Sequence, residues 1–260
     1  MASASDDLFA AIDAGDVDRV GAMLDVDPSL AMARDHEGVS ALLRARYRLD
    51  RALAEAVRAR VAALDVFEAA TFGDLDRLAV LLEADPGLTD RRSGDGFTAL
   101  HLAAFFGQDD AVRLLLARGA DPDAHGTGWM TGTPLSSAAS AGHAATVDLL
   151  LEAGADPDAV QRGGWTPLHS AAHNGDVRTV EFLLTHGADP GAIDDEGRSI
   201  ADMAAESGDD ATIAAIDGSR RRGVRSGIRR PLRDPRTTRT RTPERSNRTG
   251  SPARTGCGRR

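Results

Sequence analysis

The feature that most restricts this chain is a block of sequence that occurs three times. Phe97-Thr98-Ala99-Leu100-His101-Leu102-Ala103-Ala104 is followed by Gly107, Leu114-Leu115-Leu116 and Gly119-Ala120-Asp121-Pro122-Asp123-Ala124. Thr133-Pro134-Leu135-Ser136-Ser137-Ala138-Ala139 leads in the same way to Gly142, Leu149-Leu150-Leu151 and Gly154-Ala155-Asp156-Pro157-Asp158-Ala159. Thr166-Pro167-Leu168-His169-Ser170-Ala171-Ala172 leads to Gly175, Phe182-Leu183-Leu184 and Gly187-Ala188-Asp189-Pro190. The aligned threonines stand 35 and 33 residues apart, and a weaker copy opens at Ser199, another 33 residues on. Copies this short cannot bury their own apolar faces, so consecutive copies must stack and share a core.

Each recurring letter has a mechanical role. Thr98, Thr133 and Thr166 stand where a hydroxyl can accept from an orphan helix amide, and Pro134 and Pro167 occupy the first helical position, where no N–H is needed. Alanine pairs keep this first helix thin. Gly107, Gly142 and Gly175 end it in the left-handed conformation. A second helix then offers its leucine triplets to the neighbouring copies, and Gly119, Gly154 and Gly187 turn the chain into an extended loop.

Period, Thr-Pro-Leu-His signature and Gly-Ala-Asp loop together resemble the ankyrin repeat, in its bacterial type. The resemblance implies an all-α solenoid of helix-turn-helix units joined by short extended loops. It further implies that a partner protein binds the loop tips and the concave face made by the first helices. Carried onto this sequence, those places hold Phe97, Phe105, Phe106, Trp129, Met130, Arg162, Trp165, His173 and Asn174. Interface centres favour aromatic, Met and Arg side chains, which suits a protein-binding strip. The expected function is non-catalytic recognition of an unidentified protein by a monomer.

Residues 1–64 read as degenerate repeats and 65–218 as the main array, with clear copies near 96–124, 131–159, 164–192 and 197–218. Leu8 to Gly15, then Val17, Val20 and Leu24, predict a short helix pair, and the same series returns 58 residues later with Gly73, Leu82 and Asp85-Pro86. That offset fits two repeats of which one, Ser40 to Val61, is shortened; its helices are expected near 41–46 and 50–60. The count is about seven units.

In the last unit Asp217 falls on an apolar position and Arg220-Arg221-Arg222 replace Gly-Ala-Asp, so the pattern breaks inside a helix. From Ser219 onward there are 15 arginines against Asp234 and Glu244, while the rest of the chain holds 16 arginines and 38 acidic residues. A segment so basic and so poor in apolar residues is expected to be disordered from about Gly218. Two origins stand open. One is a basic arm for nucleic acid or an acidic partner; the other, favoured by the break in mid-helix, is a shifted reading frame or eroded end. All 31 basic side chains are arginine, which fits a GC-rich gene.

Catalytic and metal chemistry fare worse. His169 and His173 lie four apart, but Ser170 stands where a zinc protease needs glutamate. There is no Gly-x-Ser-x-Gly elbow, and without lysine no phosphate loop of the Gly-Lys kind. The Asp-rich loops lack the calcium-loop pattern and are explained by turn formation. One cysteine, Cys257, excludes an internal disulfide. No apolar run approaches a membrane span, and the acidic start lacks a signal core. The expectation is a cytoplasmic protein with no enzyme activity, no cofactor and no metal.

Overall fold

The computed structural model of the chain describes residues 3–127 and 131–226, the last five in backbone only. Among these, fourteen α-helices follow one another in seven pairs. They are α1 (Ala4–Ala14) with α2 (Val17–Val26), α3 (Ala41–Tyr47) with α4 (Arg51–Arg58), and α5 (Val66–Phe72) with α6 (Leu75–Ala84). Then come α7 (Ala99–Phe105) with α8 (Asp109–Ala117), α9 (Pro134–Ala141) with α10 (Ala144–Glu152), α11 (Pro167–His173) with α12 (Val177–Thr185), and α13 (Ile200–Ser207) with α14 (Asp210–Ser226). The first helix of each pair packs on the first helix of the next, from α1 through to α13. The second helices pack likewise from α6 to α14. The result is the all-α stacked array that the period dictates.

Local chemistry sets each boundary. The hydroxyls of Ser40, Thr98 and Thr133 accept from the backbone N–H three residues on and open α3, α7 and α9. Pro134 and Pro167 sit in the first turn of α9 and α11. Leu100, Leu135 and Leu168, at the same register position in successive units, are all fully buried. Short antiparallel bridges close the loops ahead of α3, α7 and α13, at Arg34–Ser40, Arg92–Thr98 and Ile193–Ser199.

The shortened unit has no such hairpin ahead of α5. The hairpins on either side therefore close directly on each other. A Cβ on Gly94 would lie 2.1 Å from the Glu37 carbonyl oxygen, so only glycine fits the contact. The second helices α4 and α6 do not pack as their equivalents do; Arg58 faces Asp74 at 3.9 Å, and Arg77 Nε donates to the Leu64 carbonyl.

The C-terminal limit differs from the expectation. Helix α14 passes Gly218 without a break and runs to Ser226. Thr212 and Ile216 are buried, Ile213 and Ala215 pack on the core, and α14 contacts both α12 and α13. Once the first turns are held by packing, arginine is a good helix former, and positive charge near the C-terminus complements the helix dipole. The rest of the expected basic tail, with Cys257, lies outside the described residues, as do Trp129 and Met130. No described helix is long and apolar enough to cross a membrane.

Candidate partner-binding face

The C-terminal ends of the first helices carry two aromatic centres. At the ends of α3, α5 and α7, Phe106 stacks on Tyr47 with ring centroids 6.2 Å apart and planes 16° apart. Phe105 meets Phe106 edge to face at 5.0 Å. The Arg46 guanidinium carbon lies 4.5 Å from the Phe106 ring centre and 5.4 Å from that of Phe72. Tyr47 Oη donates to the Asp95 carboxylate at 2.6 Å. Burial, then the Asp95 charge, push the Tyr47 hydroxyl well above its usual range, so it stays a donor. Phe105, Phe106, Tyr47 and Phe72 are all half-buried.

The missing hairpin explains this centre. With no loop ahead of α5, Tyr47 reaches Asp95 across 48 residues of sequence, two units on. Sequence reasoning passed over Arg46, Tyr47 and Asp95. The one available signal was that Leu49 stands where the other six units have glycine: Gly15, Gly73, Gly107, Gly142, Gly175 and Gly208. Leu49 adopts the same left-handed backbone, φ 56°, and among the described residues it is the sole non-glycine to do so. It is 68% exposed, so its side chain gains little from burial. Relieving a left-handed leucine is worth about 1–2 kcal/mol, and the looser unfolded chain of glycine takes back part of it. Leu49→Gly is therefore expected to raise stability by about 0.5–1 kcal/mol, seen as a higher urea midpoint at unchanged slope. A midpoint equal to or below wild type would remove the strain from the account.

The second centre surrounds Trp165, which is half-buried. Its Nε1 donates to the Asp194 carboxylate at 3.2 Å, and its ring stacks on His169 at 6.0 Å and meets His173 edge-on at 5.9 Å. The Arg198 guanidinium carbon lies 5.6 Å from the ring, while Arg198 Nε donates to Asp194 at 2.8 Å. Trp165 thus ties α11 to the hairpin ahead of α13 and leaves one part of its ring outward. His173 is exposed, with Nδ1 4.0 Å from Glu206.

The remaining expected site residues divide. Arg162 is exposed, and its backbone N–H donates to Thr131 Oγ1 at 2.9 Å. Asn174 is exposed but also serves the previous unit, donating to the Ala139 and Ser140 carbonyls at 3.3 and 3.1 Å. Phe97 is a correction: it is only 3% exposed and belongs to the core. The Arg92–Thr98 bridge fixes an extended segment there, and alternation in extended chain turns this side chain inward.

The histidine pair does not form a ligand set. His169 is fully buried and His173 exposed. Burial lowers the His169 pKa, against a raising contribution from the Arg198 carbonyl. Among the described residues no three His, Cys, Asp or Glu side chains gather closely enough to hold a metal. The Asp-rich loops use their carboxylates internally. Asp121 and Asp156 accept from the N–H two residues on, and Asp123 and Asp158 accept from the Asp156 and Asp189 amides of the following unit, both at 2.8 Å. These braces run from loop to loop along the array.

A family model described as ankyrin repeats (3 copies) matches residues 66–161 and again 135–216, together more than half of the chain. The chain belongs to the ankyrin-repeat family. Ankyrin repeats are generally protein–protein interaction modules, and the matched segments run from α5 into the first turns of α14. Similar proteins include "E3 ubiquitin-protein ligase XB3" of Oryza sativa subsp. japonica, 49% identical over 61 residues, which are 23% of this chain and 14% of that protein. "Probable E3 ubiquitin-protein ligase XBOS31" of the same organism is 47% identical over 60 residues, with the same two shares. "Ankyrin repeat and SOCS box protein 2" of Bos taurus is 35% identical over 100 residues, 38% of this chain and 15% of that protein. The ankyrin chain described here thus spans less than a sixth of the length of these relatives.

Proposed function

We propose that this chain is a non-catalytic recognition module that grips a partner protein with its loop tips and the concave face formed by the first helices. The observation that carries the reading is the placement of the aromatic side chains. Phe105, Phe106 and Trp165 lie half-exposed at the ends or entrances of first helices, with Arg162, His173 and Asn174 exposed beside them. Clustered aromatic and arginine side chains partly open to solvent are the composition of interface centres. Trp129 and Met130, which fall between the two centres in sequence, belong to the same proposed strip. The ligase names of the rice proteins describe chains far longer than the shared segment, and no such activity is proposed here.

The test is capture of the partner from the native host by the full-length chain, compared with two variants. Phe105→Ala combined with His173→Ala removes two outward side chains with little role in the core. Val80→Ala alters an exposed residue of a second helix, 57% accessible. The first is expected to lower partner affinity by about tenfold or more, with helicity and melting unchanged, since truncating central interface residues costs at least that. The Val80 variant should capture as wild type does. Undiminished capture by the double variant, or equal loss in both, would reject the face.

A further inference from the structure

The shortened unit concentrates positive charge in an acidic array. Residues 41–60 contain six arginines, with Asp50 and Glu55 as the acids. Four of the six have carboxylate partners: Arg44 with Asp13, Arg51 with Glu55, Arg58 with Asp74 and Arg60 with Asp25. Arg48 shares the Asp13 charge with Arg44, and Arg46 alone has no carboxylate near it among the described residues. Arg46 is held by its aromatic neighbours instead. Its Nε is buried with no hydrogen-bond acceptor, and burial lowers its pKa with no counter-charge to oppose the shift.

We propose that Arg46, together with the neighbouring Leu49, receives an acidic segment of the partner protein. This rests on the reading that the first-helix ends face the partner, and adds the chemistry of what binds there. A guanidinium stacked against rings has its flat faces occupied, and recognition is left to its terminal N–H edge, which matches a carboxylate in a planar, two-point contact. The cation is partly desolvated and has no internal counter-ion, so an incoming carboxylate meets no competitor for it. Arg48, exposed nearby, adds charge of the same sign. Leu49 supplies the apolar half of the recognition. It projects into solvent from a strained backbone three residues after Arg46, where the fold elsewhere uses glycine. The segment that fits presents Asp or Glu with an aliphatic side chain beside it, the first on Arg46 and the second over Leu49 and the Phe105 edge.

A random-peptide display library, selected on the immobilised full-length chain, tests this. Enriched peptides are expected to share an Asp or Glu next to an aliphatic residue. Arg46→Met keeps an apolar chain between the rings, and its melting curve checks that the array is intact. It should weaken the selected peptides about tenfold or more, as should changing their shared acid to its amide, because a charge-assisted two-point contact is lost. Arg46→Lys keeps the charge but not the planar edge and should bind several-fold more weakly than wild type. Leu49→Gly should weaken the same peptides while leaving the array at least as stable. Selected peptides without a common acid, peptides that bind folded Arg46→Met as they bind wild type, or no enrichment over that variant would each overturn the assignment. If that happens while Phe105→Ala with His173→Ala still weakens partner capture, the first-helix face stands and only the acidic chemistry at Arg46 falls.

Discussion

Between pH 7 and pH 4 this protein is expected to lose about 3 kcal/mol of folding stability through one side chain, His101. His101 is 1% exposed at the third position of α7. The Thr98 backbone N–H donates to its Nδ1 at 3.3 Å, so Nδ1 carries no proton in the fold. The proton is then on Nε2, which donates to the Gly132 carbonyl of the next unit at 3.1 Å. A second proton on Nδ1 would take the acceptor from the Thr98 N–H and turn Nδ1 towards the Thr98 hydroxyl, 2.8 Å away, as a donor. Burial is the main cause that lowers the His101 pKa to about 4, helped by Arg92 and His125 and opposed by the Gly132 bond. A histidine with a depressed folded pKa binds its proton more readily when unfolded. Its contribution is therefore complete above the unfolded value near 6.5 and is lost as pH falls through about 4. His169 shifts in the same direction. Glu68 works the other way: burial raises its pKa, so its contribution is lost as pH rises through the folded value. The difference between wild type and His101→Gln isolates the histidine. Urea midpoints across this range should fall steeply for wild type and less steeply for the variant. Equal slopes would mean that His101 does not carry the acid sensitivity.

That histidine was legible as a letter of the repeat, and so were most of the helix boundaries. Thr98, Pro134 and Gly142 act through neighbours within four residues, and a rule that local needs no knowledge of the rest of the chain. The candidate face was less legible. Phe97 and Trp165 occupy the same register before the helix, yet one is sealed in the core and the other is half open. The difference depends on what each following loop places over the ring, as Asp194 does for Trp165. Arg46 and Tyr47 stayed hidden because their partners are two units away, brought near by a hairpin that is missing. Such an absence shows in the sequence as a short repeat but does not say which side chains fill the space. The run of α14 past Gly218 shows the limit of reading composition, since packing at Thr212 and Ile216 carried the helix beyond the point where the pattern stopped.

Leu135→Ala is expected to cost about 3 kcal/mol, within the range of about 2–5 for buried leucines, and to change how the array unfolds as well as when. Leu135 is fully buried on α9, which packs on α7 before it and α11 after it as well as on its own partner α10. A cavity there weakens two interfaces at once. Stability in a stacked array is close to a sum of unit terms and nearest-neighbour terms, so cooperativity survives only while each interface holds its neighbours in step. With the centre weakened, the units from α11 onward can unfold apart from those before α9. Trp165 fluorescence, read in a Trp129→Phe background so that it reports the later units alone, and far-UV circular dichroism, which averages over every helix, should then give urea transitions that no longer coincide. Ile200, equally buried on α13, has a first-helix neighbour on one side only among the described residues. Ile200→Ala should leave the transition of the preceding units near its wild-type midpoint. Coincident transitions for Leu135→Ala, or an equal shift of the whole array by Ile200→Ala, would show that the seven units melt as one body and that the nearest-neighbour account does not hold for this chain.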